Sequence, residues 1–114
     1  YDVAKLPEAV FHAFVLGLLA NLRNVYEIRS NVEAGYGRAD ILMIPKTGTY
    51  SIGYIIECKS VKKEGDGEKA AADGLAQIRE KEYMAALVNA GVPLEKIVKL
   101  AVTLQGKRVT VKKE

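Results

Sequence analysis

The stretch YIIECKS, residues 54–60, runs three bulky apolar residues into an acid and a base placed two positions apart. Its start reads as the interior of a strand. Residues two apart in a strand share a face, so Glu57 and Lys59 point the same way as Ile55 and the strand ends with a carboxylate on its apolar side. RADILMI, residues 38–44, repeats the feature, with Asp40 on the side of Leu42 and Ile44. An isolated carboxylate on such a face costs several kcal/mol, so any fold of this chain must bring both acids a partner. The two segments are consecutive, joined by a turn built on PKTG, and Asp40 and Glu57 can therefore approach each other across a sheet. Carboxylates brought together repel and their pKa values split unless a cation separates them. A divalent metal is the simplest cation that satisfies both; Lys59 is a second partner for one of them.

The rest of the chain supplies the frame. Pro7 opens a helix to about Asn21, with Val10, Phe11, Phe14, Val15, Leu18, Leu19 and Leu22 recurring at about 3.6 residues. VYEIRSNVE, residues 25–33, has the composition of a strand and AGYG that of a turn. The second long strand is TYSIGYIIECK, followed by KKEGDGE as a loop. Residues 69–90 form a helix closed by Gly91 and Pro93. KIVKLAVTL and KRVTVKK make a terminal hairpin. The expected class is mixed α/β (α+β): helix, three strands, helix, two strands, with about five strands in one sheet and the second helix as a parallel crossover.

With 114 residues the chain is one domain, 1–114. Starting at Tyr1, it reads as a piece of a longer protein. The longest apolar run, FHAFVLGLLA, falls short of the roughly 20 residues of a bilayer span, so no membrane partner and a cytoplasmic location are expected. The lone Cys58 excludes an internal disulfide, and its side chain faces away from Glu57 and Lys59. A net charge of +3 and a pI near 9.0 mildly favour a polyanionic partner. Lys59, Lys62 and Lys63 form one basic group, and Lys96, Lys99, Lys107, Arg108, Lys112 and Lys113 another.

Two helices carry further candidates. Glu8 shares a helix face with Phe11, His12, Val15, Leu19 and Leu22, although a glutamate near a helix N-terminus is favoured by the dipole alone. On the second helix Gln77, Lys81 and Met84 follow one line and Ala71, Ile78, Ala85 and Val88 another, so Gln77 borders the apolar stripe within reach of the sheet. Tyr83 lies about 120° around the helix from Gln77, and the two cannot both aim at one atom.

These residues together resemble the PD-(D/E)xK nuclease superfamily: Asp40 within GYGRAD, Glu57 and Lys59 within IIECKS, and the helix AADGLAQIREKEYMAAL with Gln77 and Tyr83. EAVFH at Glu8 to His12 and GKRV at Gly106 to Val109 make the pattern most similar to the branch commonly found C-terminal to an ATPase-like domain. The resemblance spans nearly the whole chain. Ala39 stands where the superfamily has its naming proline, which supplies no ligand. The Gln77 to Tyr83 spacing is wider than the Q-x-x-x-Y of the RecB-like branch, so no exonuclease assignment carries over.

The resemblance implies a restriction-endonuclease-like core and metal-dependent phosphodiester hydrolysis. Asp40 and Glu57 would bind Mg²⁺ or Mn²⁺, with the Cys58 backbone carbonyl and Glu8, directly or through water. Lys59 would orient the attacking water and Gln77 would hold that water or a phosphate oxygen. Arg38, Lys62, Lys63 and Tyr83 would contact the nucleic acid, DNA or alternatively RNA. Two other readings stand beside it: a non-catalytic nucleic-acid-binding or partner-docking module on the same fold, and a structural protein whose Glu57 and Lys59 pair with other chains. The terminal hairpin is a candidate homodimer edge, although its lysines equally protect against such pairing.

Overall fold

The computed structural model describes residues 13, 15–17, 19–33, 38–46, 51–60, 66–105 and 108–114. Five strands, β1 (Tyr26–Glu33), β2 (Arg38–Pro45), β3 (Gly53–Ser60), β4 (Ile97–Gln105) and β5 (Arg108–Lys113), form one sheet in the order β1-β2-β3-β4-β5. Only β3 and β4 are parallel; the other three neighbouring pairs are antiparallel. The crossover between them is the long helix Asp66–Asn89, since a parallel pair needs a connection that returns the chain to the same end of the sheet.

β2 is the most continuously buried strand among the described residues. Six consecutive residues, Ala39 to Ile44, are buried, because both faces of this strand are covered. On one face Leu42, Ile44 and Ile55 pack with Tyr83, Leu87 and Val92 of the long helix and the turn that follows it. On the other, Tyr26, Ile41 and Met43 pack with Val15, Leu16, Leu19 and Leu22 of the N-terminal helical segment. Each fully buried aliphatic side chain contributes about 1.5–3 kcal/mol of hydrophobic stabilisation. The order helix, three strands, helix, two strands, with a mixed sheet flanked by helices, is the restriction-endonuclease-like core expected from the sequence.

The long helix is seated by two local devices. A Cβ on Gly53 would lie 2.5 Å from a methyl of the fully buried Leu87, so glycine is what lets the helix approach β3 this closely. At its C-terminus Gly91 takes a φ of 90°. Gly91 N–H then donates to Val88 O and Val92 N–H to Leu87 O, both at 3.0 Å, the paired bonds that satisfy the last carbonyls of a helix.

Three boundaries differ from the sequence reading. The helix begins at Asp66 rather than 69, inside the stretch KKEGDGE read as loop. β3 begins at Gly53 rather than Thr49, with Ser51 and Ile52 outside the strand. Residues 20–22, assigned to the end of the first helix, form a 3₁₀ turn.

Candidate active site

Strand register puts the two carboxylates together. Asp40 is the direct cross-strand partner of Glu57, and Arg38 that of Lys59, on antiparallel β2 and β3. Alternation then directs all four toward the face covered by the long helix. Moving away from the hydrophobic core the face reads Leu42 and Ile55, then Asp40 and Glu57, then Arg38 and Lys59. Asp40 is 7% exposed, Glu57 is half-buried and Lys59 is exposed. A pocket of about 230 Å³ opens over this end of the sheet, lined among others by Arg38, Asp40, Glu57, Lys59, Thr103 and Glu114.

The helix supplies the other wall. Ala76, Arg79, Glu80 and Tyr83 line the space over the carboxylates. Tyr83 donates its hydroxyl hydrogen to Asp40 Oδ1, and Arg79 Nε lies 4.0 Å from Asp40 Oδ2. This buried acid is therefore held by a neutral donor and approached by a cation, as a buried carboxylate requires. Arg38 turns toward the start of the helix, its guanidinium 2.5 Å from Asp73 Oδ1, while its Nε is buried and finds no hydrogen-bond acceptor among the described residues. Lys99 pairs with Glu80 beside the pocket.

Electrostatics separate the groups. Burial, followed by the charge of Glu114, pushes the Glu57 carboxyl above its ordinary range; Arg38 pulls it back, and Glu80 and Asp40 push it up further. Burial raises the Cys58 thiol to about 11, and with its side chain on the opposite face Cys58 offers no thiolate to this pocket. Burial and donation to Asp40 push the Tyr83 hydroxyl up as well, so it stays a donor.

A carboxylate with a raised pKa favours the folded state while protonated. Its contribution is present below the ordinary glutamate value of 4.5 and is lost as pH rises through the higher folded value. In metal-free buffer Glu57→Gln is therefore expected to melt above the wild type at neutral pH, and the difference should shrink as pH is lowered into the glutamate range. Thermal melts in EDTA across that range check this. A difference that does not change with pH would contradict it.

Of the residues singled out in the sequence, the structure brings together Asp40, Glu57, Lys59 and Arg38, with the Cys58 backbone on the strand between Glu57 and Lys59. Gln77 is not with them. It is exposed and lines a separate open hollow with Glu80, Lys81, Met84 and Lys99. The inward line of the helix is instead Ala76, Tyr83 and Leu87, while Ile78, assigned to the apolar stripe, is 58% exposed. Tyr83, expected as a nucleic-acid contact, is 8% exposed and engaged with Asp40. Glu8, Lys62 and Lys63 lie outside the described residues.

Sequence reasoning missed Arg79, Glu80 and Glu114. Arg79 and Glu80 sit three and four residues after Ala76 and four and three before Tyr83, so placing Tyr83 inward would have found them. Glu114 N–H donates to Lys99 O at 2.9 Å, a pairing that follows only from the β4–β5 register.

No group of three or more His, Cys, Asp or Glu side chains among the described residues is arranged to hold a metal ion. The donor set present, two opposed carboxylates beside an open pocket, suits a hard cation that keeps several waters, the habit of magnesium. The family model of the PD-(D/E)XK nuclease superfamily matches residues 6–114, and the chain belongs to that superfamily. Neither the comparison with curated proteins nor that with solved structures gives a match.

Proposed function

We propose that this chain hydrolyses phosphodiester bonds of DNA with Mg²⁺ or Mn²⁺ held by Asp40 and Glu57. The observation that carries the reading is the direct opposition of Asp40 and Glu57 with Lys59 on the same face, at the mouth of an open pocket. Superfamily membership supports it.

When bound, the metal would neutralise charge building on the scissile phosphate and ease deprotonation of the attacking water. The chain's own residues divide the remaining work. Tyr83 fixes the orientation of Asp40 through its hydroxyl. Lys59, an exposed ammonium on the same face as Glu57, would orient the water and stabilise the negative charge of the five-coordinate phosphate. Water oxygen bonds to phosphorus as the bond to the leaving alkoxide breaks. Arg38, opposite Lys59 at the outer end of the pocket, would add positive charge toward the phosphate backbone. Gln77 would serve the same chemistry only if the helix turned it inward. Glu8 would join the ligand set, and Lys62 and Lys63 the nucleic-acid contacts, from the segments before β1 and after β3. An ATPase-like domain elsewhere in a longer protein and a homodimer through the terminal hairpin would extend this site without altering it.

One observation favours a second reading, a nucleic-acid-binding or docking module without catalysis: Arg79 stands 4.0 Å from Asp40 and supplies positive charge without a metal. Calorimetric titration of Mg²⁺ into the wild type and into Asp40→Asn separates the two. Asparagine still accepts the Tyr83 hydrogen bond, so the variant keeps the fold and loses only the charge. The nuclease reading expects saturable binding by the wild type that Asp40→Asn loses. Equal heats from both proteins, with and without DNA, would favour the module.

A further inference from the structure

The pocket does not end at the carboxylates. It continues across β4, where the residues on the site face are small: Ala101 pairs with Glu57 and Thr103 with Lys59. Above them the helix presents Ala76. Beyond β4 the same two cross-strand rows continue onto β5, where Ala101 pairs with Lys112 and Thr103 with Thr110. One row thus reads Lys59, Thr103, Thr110 and the next Glu57, Ala101, Lys112. Glu114 lies one row further in, opposite Lys99, so the carboxylates occupy the two inner rows, Lys112 ends the row of Glu57, and the outer row carries Lys59 and the two threonines.

β5 carries Thr110 and Lys112 on this face and Val109, Val111 and Lys113 on the other. Thr110 and Lys112 point to the site face, whereas Val109 and Val111 point away and are 46% and 61% exposed. Lys112 is exposed and makes no ion pair among the described residues. Neighbouring strands lie about 4.8 Å apart, which sets Thr110 about 10 Å from Lys59 across the sheet.

Resting on the nuclease reading above, we propose that Thr103, Thr110 and Lys112 form a phosphate subsite for the nucleotides flanking the scissile bond, so that one nucleic-acid strand crosses β3, β4 and β5 at right angles to them. The small side chains of Ala76 and Ala101 leave room for the sugar-phosphate backbone. The two threonine hydroxyls donate to phosphate oxygens, and Lys112 is the electrostatic anchor that positions the strand without reading bases.

Lys113 is the internal control, because it carries the same charge on the same strand but faces the opposite side, paired with Leu100. The test is the anisotropy of a labelled single-stranded oligonucleotide in EDTA, measured over a range of salt for the wild type, Lys112→Ala, Lys113→Ala and Thr110→Val. Lys112→Ala is expected to weaken binding several-fold and to flatten the salt slope by about 0.7, the loss of one phosphate contact on a single strand. Thr110→Val should weaken binding with an unchanged slope, and Lys113→Ala should stay close to the wild type. Equal effects of the two lysine variants, or no binding by the wild type, would overturn the subsite. Cleavage of a small aryl phosphodiester, too short to reach β5, reports on Asp40 and Glu57 independently, so failure of the subsite and failure of the nuclease reading give different results.

Discussion

Lys59→Ala is expected to lose about 10²–10⁴-fold in hydrolysis while its denaturation midpoint stays at the wild-type value. The activity loss follows from place. Lys59 is opposite Arg38, two residues beyond Glu57 on the same face, and lines the pocket over the carboxylates. Stability should be untouched because the side chain is exposed and makes no ion pair among the described residues, and surface substitutions of that kind fall within about 0.5 kcal/mol. Steady-state rates on a labelled oligonucleotide, with a urea titration of the same preparations, measure both sides. Activity within a few-fold of the wild type would remove Lys59 from the chemistry; a large loss of stability would recast it as structural.

The other large effect is on the fold. Leu87→Ala should destabilise the protein by about 2–5 kcal/mol. Leu87 is fully buried, meets β3 at Gly53, and packs with Leu42, Ile55 and Val92 in the cluster between helix and sheet. Gly53 has no side chain with which to fill the space left behind, so the cavity would persist. Small domains hold only about 5–15 kcal/mol in total, and the variant would lose a large part of it. Tyr83 stands one helical turn before Leu87, so the hydrogen bond to Asp40 depends on the same packing. A urea midpoint shift worth less than about 1 kcal/mol, with the slope unchanged, would mean that the helix is seated by other contacts.

The pair Asp40 and Glu57 is readable in the sequence because strand alternation has a period of two residues, and two acids that interrupt the apolar faces of consecutive strands must meet a common partner. The same alternation places the Cys58 side chain on the far side of the strand, where it is buried. The helix is harder. It carries apolar residues on more than one side, with Leu75, Ile78 and Val88 all exposed, so periodicity alone does not say which side meets the sheet. What decides it is the close approach at Gly53 and the Gly91 turn that buries Val92, both tertiary facts. Choosing Ile78 as an inward residue turns Gln77 toward the site and hides Arg79 and Glu80. Tyr83 stands out through its motif, yet its work as a donor to a buried acid follows from burial that the sequence does not print. Glu114 needs the β4–β5 register, which a hairpin reading alone leaves open by a residue in either direction.

Divalent-dependent cleavage tests the central claim most directly. Wild-type protein and Asp40→Asn, both verified as folded, would be incubated with labelled single- and double-stranded DNA in Mg²⁺, in Mn²⁺ and in EDTA. A site built on Asp40 and Glu57 predicts cleavage by the wild type in either metal, none in EDTA and none by Asp40→Asn. Cleavage that persists in Asp40→Asn, or that proceeds in EDTA, would contradict it.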